Sequence, residues 1–326
     1  MTRVLEPMFG RSIQDDYRIG LREISATSRG TGKLESSLGE ALRLADLARR
    51  YDKWIAQDTW YHIYRSSPNY SDQLTPPTIE RFLQILELPG GLGELLRRLH
   101  ELGVLEKVIP EFSHARCLLQ FNQYHKYTVD EHCIRAVEEA TRFADRDDTL
   151  GNVYRNCQHQ RLLHLALLVH DLGKGCEGDH SDVGREIATR TAQRLGLSPV
   201  ETNTLEFLVH RHLMMSHLAF RRDTNRPAVI EQFAEQVASP ERLQLLYLLT
   251  CADLAAVGPD VLNNWKVELL TDVYRRTDQV LQAGGAIATA ERRASRQADV
   301  WQHLSNDQWA DSWFERQFNS LPEGYV

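Results

Sequence analysis

Apolar residues along this chain recur mostly at helical spacing. Leu38–Arg50, Pro77–Leu86 after a Thr75 cap signal, and Leu92–Leu102 each repeat them every three or four positions, which predicts amphipathic helices. Ile134, Val137 and Ala140 continue such a stripe from Thr128-Val129-Asp130-Glu131, a Ser/Thr-x-x-Glu capping box. Val183, Ile187, Thr191 and Leu195 do the same beyond His180, with Gly184 leaving room for a close neighbour. Ser198-Pro199-Val200-Glu201 opens another helix with a second capping box and Pro at its first position. Leu162–Val169 is apolar on nearly every side, so it predicts a buried helix, and Gly173 and Gly175 read as its stop signal. A further helix is expected over Leu243–Val257. Residues Met1–Lys33 differ: short alternating pieces, Tyr17-Arg18-Ile19 and Glu23-Ile24-Ser25, end in Ser28-Arg29-Gly30-Thr31-Gly32, a turn-rich linker. Asp145–Asn156 reads as a polar connection. After Gly284-Gly285 a helix over Ala288–Gln302 leads to Trp309, Trp313, Phe314 and Phe318, a docking segment. The expected class is all-α.

Composition narrows the setting. The 326 residues suffice for one large or two modest cores. With 38 basic against 45 acidic residues the net charge is −7, which makes no electrostatic case for nucleic acid as a partner. No apolar run approaches a bilayer span, so no membrane partner is expected, and Met1–Gly20 is too polar for a signal peptide. Cys117, Cys133, Cys157, Cys176 and Cys251 are scattered without a CxxC pair, as expected of reduced thiols in a cytoplasmic protein. Oligomeric state is left open by all of these.

The chemistry gathers at His170-Asp171-Leu172-Gly173-Lys174, at the end of the apolar helix. Burying an ionised Asp and a His without partners costs several kcal/mol, roughly. One solution is a divalent cation taking nitrogen and oxygen ligands. The plainer one is a His that caps carbonyls and an Asp paired with Lys174 three residues on. Four further residues at buried-looking helix positions favour the cation: His132, His180, His212 and Asp253, the last on the stripe of Leu246 and Leu249. Lys174 can equally be a surface ammonium, and Asp179 a helix N-cap. His217 and Arg221-Arg222 offer phosphate contacts or simply a solvated basic turn, and Tyr124 and His125 a pocket wall or packing.

These segments resemble the HD-domain metal-dependent phosphohydrolases, and among them the HD segment of the bifunctional PII uridylyltransferase/uridylyl-removing enzymes. The resemblance rests on 124–132 (YHKYTVDEH), 170–175 (HDLGKG), 178–184 (GDHSDVG), 212–216 (HLMMS), 247–253 (YLLTCAD) and 264–266 (NWK). It implies an HD helical bundle with an N-terminal helical extension and a C-terminal helical tail. The divisions expected are 1–35 as N-terminal segment and linker, 36–114 as a helical linker domain, 115–280 as the HD domain and 281–326 as the extension. Both termini resemble the interior of the longer enzymes, whose nucleotidyltransferase domain lies upstream and whose sensing ACT domains follow; the chain is then an excised piece or a short form, without glutamine control.

By the same resemblance, His132, His170, Asp171 and Asp253 hold one cation, and His180 and His212 a second, with Asp171 bridging. The donor set suits Mn, Fe, Mg or Zn without choosing. Asp171 and Lys174 are the catalytic candidates: Lys174 would neutralise phosphoryl charge, and Asp179 would orient a ligand. Arg211 departs from the family, which carries a histidine there, and His210 is one position away, about 100° round a helix. The implied function is removal of UMP from uridylylated PII signal protein. Hydrolysis of free nucleotides, or a non-catalytic module binding a nucleotide or protein, are the alternatives.

Overall fold

The computed structural model describes residues 11–119 and 126–304, which fall into two compact units. Among the described residues, one comprises 11–222 together with 244–272, and the other comprises 223–243 and 273–304.

The first unit begins with a small sheet. Strands β1 (Arg11–Ile13), β2 (Tyr17–Ile19) and β3 (Glu23–Ala26) pair antiparallel in that order, and β4 (Trp54–Ile55) joins β3 in parallel, Glu23 opposite Trp54. The alternating pieces seen in the sequence therefore form strands. Ser28–Gly32, expected as a linker, instead begins helix α1 (Ser28–Ser36). Thr27 caps it, accepting a hydrogen bond from the Gly30 N–H, and a Cβ at Gly30 would lie 2.0 Å from the Asp16 carbonyl oxygen. Glycine serves close approach here rather than a turn. Asp16 is buried beside Lys33, Arg43 and Arg29 and ties the strand turn to α1 and to α2 (Leu38–Arg50).

Helices α3 (Gln57–Ser66), α4 (Pro76–Glu87), α5 (Leu92–Glu101), α6 (Leu105–Val108) and α7 (Phe112–Ala115) follow. The site-bearing helices are α8 (Val129–Arg142), α9 (Thr149–Arg155), α10 (Gln160–Val169), α11 (His180–Arg194), α12 (Pro199–His210) and α13 (Met214–Arg221). Every residue of α10 from Leu162 to Val169 is buried, because α4, α8, α11 and α12 all pack on it. An all-round apolar sequence is what such a position requires. The Ser198 capping box forms as expected. That at Thr128 does not: its hydroxyl turns to Asp130, and Glu131 pairs with Arg97 of α5. Part of the polar connection 145–156 is helical, since Asp148 caps α9 through the Gly151 N–H and Leu150, Val153 and Tyr154 are buried.

Of the second unit, α14 (Pro227–Val237) buries Ile230, Phe233, Ala234 and Val237 and ends at Ala238 in a left-handed conformation. Helices α15 (Pro240–Val257) and α16 (Asn264–Leu304) each contribute residues to both units. The break expected at Gly284-Gly285 is absent, and α16 runs through it. Trp309, Trp313, Phe314 and Phe318 lie outside the described residues, as do Tyr124 and His125. Among the described residues no helix is long and apolar enough to cross a membrane.

Candidate metal centre

Five separate stretches of the first unit bring imidazoles and carboxylates together. His132 comes from the first turn of α8, His170 and Asp171 from the turn that ends α10, and His180 from the start of α11. His212 comes from the turn after α12 and Asp253 from α15. They form two groups, His132 with His170 and Asp253, and Asp171 with His180 and His212; within each, one donor atom per residue lies within 4.8 Å of the others. Asp171 faces both groups. Its Oδ2 is 3.5 Å from His132 Nε2 and 3.4 Å from His170 Nε2, and its Oδ1 is 3.7 Å from His212 Nε2. Asp253 Oδ1 is 2.9 Å from His132 Nε2 and 3.5 Å from His170 Nε2.

Two glycines make this convergence possible. A Cβ at Gly173 would lie 2.3 Å from the His180 carbonyl oxygen, so the His170-Asp171 turn rests directly on the start of α11. At Gly184 it would lie 3.1 Å from Val209 and 3.7 Å from the His170 carbonyl oxygen. The close approach anticipated for Gly184 is therefore present.

Backbone carbonyls aim two of the histidines. His170 Nδ1–H donates to the Leu167 carbonyl at 2.8 Å, and His212 Nδ1–H to the Val209 carbonyl at 2.7 Å. Both acceptors lie near a helix C-terminus, where carbonyls lack intrahelical partners. With Nδ1 committed, Nε2 is the nitrogen left facing the cluster, the one that would ligate a metal on losing its proton. The signal was visible in the sequence as a histidine three residues after a helix-end residue, but its use was not. His170 Nε2 and Asp171 Oδ1 are buried without a hydrogen-bond partner. Such groups are costly to leave unsatisfied, and a cation coordinated by them would remove that cost. The residues present fit a divalent metal.

The electrostatics agree. Burial alone would strip the proton from His170, but Asp171 and Asp253 reverse this and hold it well above the usual histidine range. Burial opposes ionisation of Asp253 and Asp171 too; the neighbouring histidines, and Lys174 at Asp171, overcome it and hold both carboxyls below the usual range. His212 goes the other way, lowered by burial. Protons and an ammonium thus supply positive charge that a cation would otherwise bring.

The remaining candidates separate. Lys174 places its half-buried ammonium 2.5 Å from Asp171 Oδ2, so the salt bridge of the plainer reading coexists with the cluster. Asp179 is exposed and caps α11, accepting from the Ser181 and Asp182 N–H groups. His217 and Arg221 are exposed on α13 and belong to neither ligand group. Arg211 is exposed while His212 is buried, and His210 pairs with Asp182 at 3.2 Å, so His210 does not replace the missing histidine. Sequence reasoning missed Asp130, two residues before His132: it is buried, bonded to His100 Nε2 at 2.9 Å and to the Cys117 N–H at 3.0 Å, which anchors the first turn of α8. An acidic residue in a first helical turn is ordinary, so only its burial marks it. A cavity of about 900 Å³ lies elsewhere, lined by Trp54, Trp60, Arg49 and Arg98 among others and by none of the ligand residues. Donor chemistry, rather than concavity, identifies the centre.

Residues 129–249 match the HD domain family, and these limits enclose four of the five ligand-bearing stretches. The chain is also similar to bifunctional uridylyltransferase/uridylyl-removing enzymes. Identity is 39% with that of Zymomonas mobilis over 261 residues, 78% of this chain and 28% of the relative. It is 37% with that of Gluconobacter oxydans over 272 residues, 80% of this chain and 29% of the relative. With that of Azospirillum brasilense it is 37% over 285 residues, 85% and 30% respectively. The chain thus spans under a third of the length of these curated relatives.

Proposed function

We propose, from the membership of residues 129–249 in the HD domain family, that this chain is a metal-dependent phosphohydrolase that removes UMP from a uridylylated PII signal protein. The observation that carries the hydrolase is the pair of buried ligand atoms left without a hydrogen bond, His170 Nε2 and Asp171 Oδ1, amid converging imidazoles and carboxylates. The substrate rests on the similarity to enzymes named for uridylyl removal.

In this reading His132, His170 and Asp253 would hold one cation and His180 and His212 a second, with Asp171 facing both. Such cations supply Lewis-acid activation of the phosphodiester and of the attacking water. His170 and His212, fixed through their Nδ1–H bonds, keep Nε2 pointed inward without a reorganisation cost at each turnover. The Lys174 ammonium, beside Asp171, would neutralise charge growing on the phosphoryl oxygens. Overall, a water oxygen bonds to phosphorus, the bond from phosphorus to the tyrosyl oxygen breaks, and that oxygen takes up a proton. The products are UMP and the PII protein with its tyrosine side chain unmodified.

The test is UMP release from uridylylated PII by the purified chain with added divalent metal, against a panel of free nucleotides. Faster turnover of the protein substrate is expected. Hydrolysis confined to free nucleotides would replace the substrate while keeping the chemistry, and no metal-dependent hydrolysis of any phosphoester would leave a binding module.

A further inference from the structure

The chain segments that leave the centre from His212 and from Asp253 meet again outside it. Phe220, near the end of α13, stacks on Trp265, at the start of α16, with ring centroids 6.5 Å apart and planes 20° from parallel. Trp265 is 61% exposed, so its other face is open to solvent. Lys266 lies 5.8 Å from the Phe220 centroid with its ammonium donating to the Val261 carbonyl at 2.7 Å. Arg221 and Arg222, both exposed, follow Phe220 directly. Trp54 is equally open, but Arg98, already paired with Glu94, lies over its ring.

We propose that the Phe220–Trp265 pair and its basic rim are the docking surface for the protein part of the substrate, an apolar and acidic surface flanking the modified tyrosine. The inference rests on the reading of the substrate as a uridylylated protein. Three observations carry it. An exposed Trp already held by a stack loses little freedom on binding, and Trp and Arg dominate interface hot spots. A chain with net charge −7 nevertheless groups Arg221, Arg222 and Lys266 here, which favours an acidic partner. Helix α13 begins two residues after His212; six helical rises of about 1.5 Å and two steps of at most about 3.6 Å keep Phe220 within about 16 Å of that ligand along the chain. A standard interface buries about 800 Å² per partner, a disc about 30 Å across, so one footprint covers both patch and centre.

The experiment compares uridylylated PII with a small diester of the same linkage, uridine 5′-(4-nitrophenyl phosphate), on wild type, Trp265→Ala and Arg222→Glu. In both variants KM for the protein substrate should rise about tenfold, equivalent to about 1.4 kcal/mol, with kcat unchanged and the small diester unaffected. Raising the salt concentration should weaken the protein substrate alone. Equal losses on both substrates, or none on either, overturn the proposal. If the uridine diester suffers while bis(4-nitrophenyl) phosphate does not, the Trp265 face takes the nucleobase and the docking assignment fails. A wild type that cleaves the small diesters but not the protein refutes the substrate reading itself. Should Trp265→Ala fail to fold by circular dichroism, the surface change Arg222→Glu decides alone.

Discussion

His164 shows how a single buried group sets a pH limit on this fold. Its Nδ1–H donates to the Leu86 carbonyl at 2.6 Å, its Nε2 accepts from the Tyr154 hydroxyl at 3.0 Å, and its side chain has no exposure. Burial pushes its pKa down to about 4, partly opposed by the Leu86 carbonyl. Between 6.5 and about 4 the unfolded chain therefore binds a proton that the folded one refuses. Stability should fall across that window as pH drops and level off below it, by about 3 kcal/mol at most from this residue. His164→Gln should flatten the window when denaturant midpoints at pH 7 and pH 5 are compared; an unchanged slope would assign it to other groups. At the centre, Asp171→Ala should abolish turnover and metal retention together, because it removes the carboxylate that faces both groups. Lys174→Ala should keep the metals and slow the reaction by roughly 10²–10³-fold. Elemental analysis beside steady-state rates separates these, and equal metal loss in both variants would make Lys174 structural.

At the scale of elements, what positions the ligands is how closely turns and helices can approach. Gly173 is the tightest case, with its would-be Cβ 2.3 Å from the His180 carbonyl oxygen and 2.7 Å from the Gly184 nitrogen. Both are backbone atoms, so Gly173→Ala must shift the start of α11 and with it His180. Metal affinity should weaken roughly 10–100-fold, as when outer supports of a ligand are lost, and the group holding His180 should empty first. Calorimetric titration of the variant checks this; affinity equal to wild type would show that the α10–α11 contact does not tune the site. These elements differed in how readable they were. The Leu162–Val169 helix and the Ser198 box were legible because all-round apolarity and a capping box each have one ready structural meaning. Helix α1 was not, since Gly30 and Gly32 have the composition of a turn, and only contact with the Asp16 carbonyl explains the first. Nor was the continuity of α16 through Gly284-Gly285, where sequence composition predicts a stop. Thr128 and Glu131 had the letters of a capping box, but Asp130 and Arg97 offered their side chains better partners.

For the whole molecule, the question is how many cations the centre holds. The ligand types were legible in the sequence, because His and Asp at buried helix positions need partners. Their division into two groups came only through the resemblance, since His132 and Asp253 are 121 residues apart and only tertiary packing sets them 2.9 Å from each other. Asp171, expected in the first set and as a bridge, falls geometrically with His180 and His212 while facing His132 and His170. Each group has two buried members and one half-buried one, Asp253 in the first and His180 in the second, so burial does not rank them. A guanidinium aimed inward would repel a cation by about 4 kcal/mol at 4 Å and an effective dielectric of 20. Arg211 is exposed, so that penalty is avoided, but it stands where the resemblance implies a histidine, and neighbouring His210 is paired with Asp182 instead. We expect two cations of unequal affinity, both raising the unfolding temperature because they bind the folded state and not the unfolded one. Titration with Mn²⁺, read by calorimetry and by thermal unfolding, should show a tight step and a weaker one. Histidine-to-alanine exchange at 180 should remove only the weaker step. Saturation at one cation with full activity would refute the two-metal mechanism and leave His180 and His212 as phosphate-binding groups.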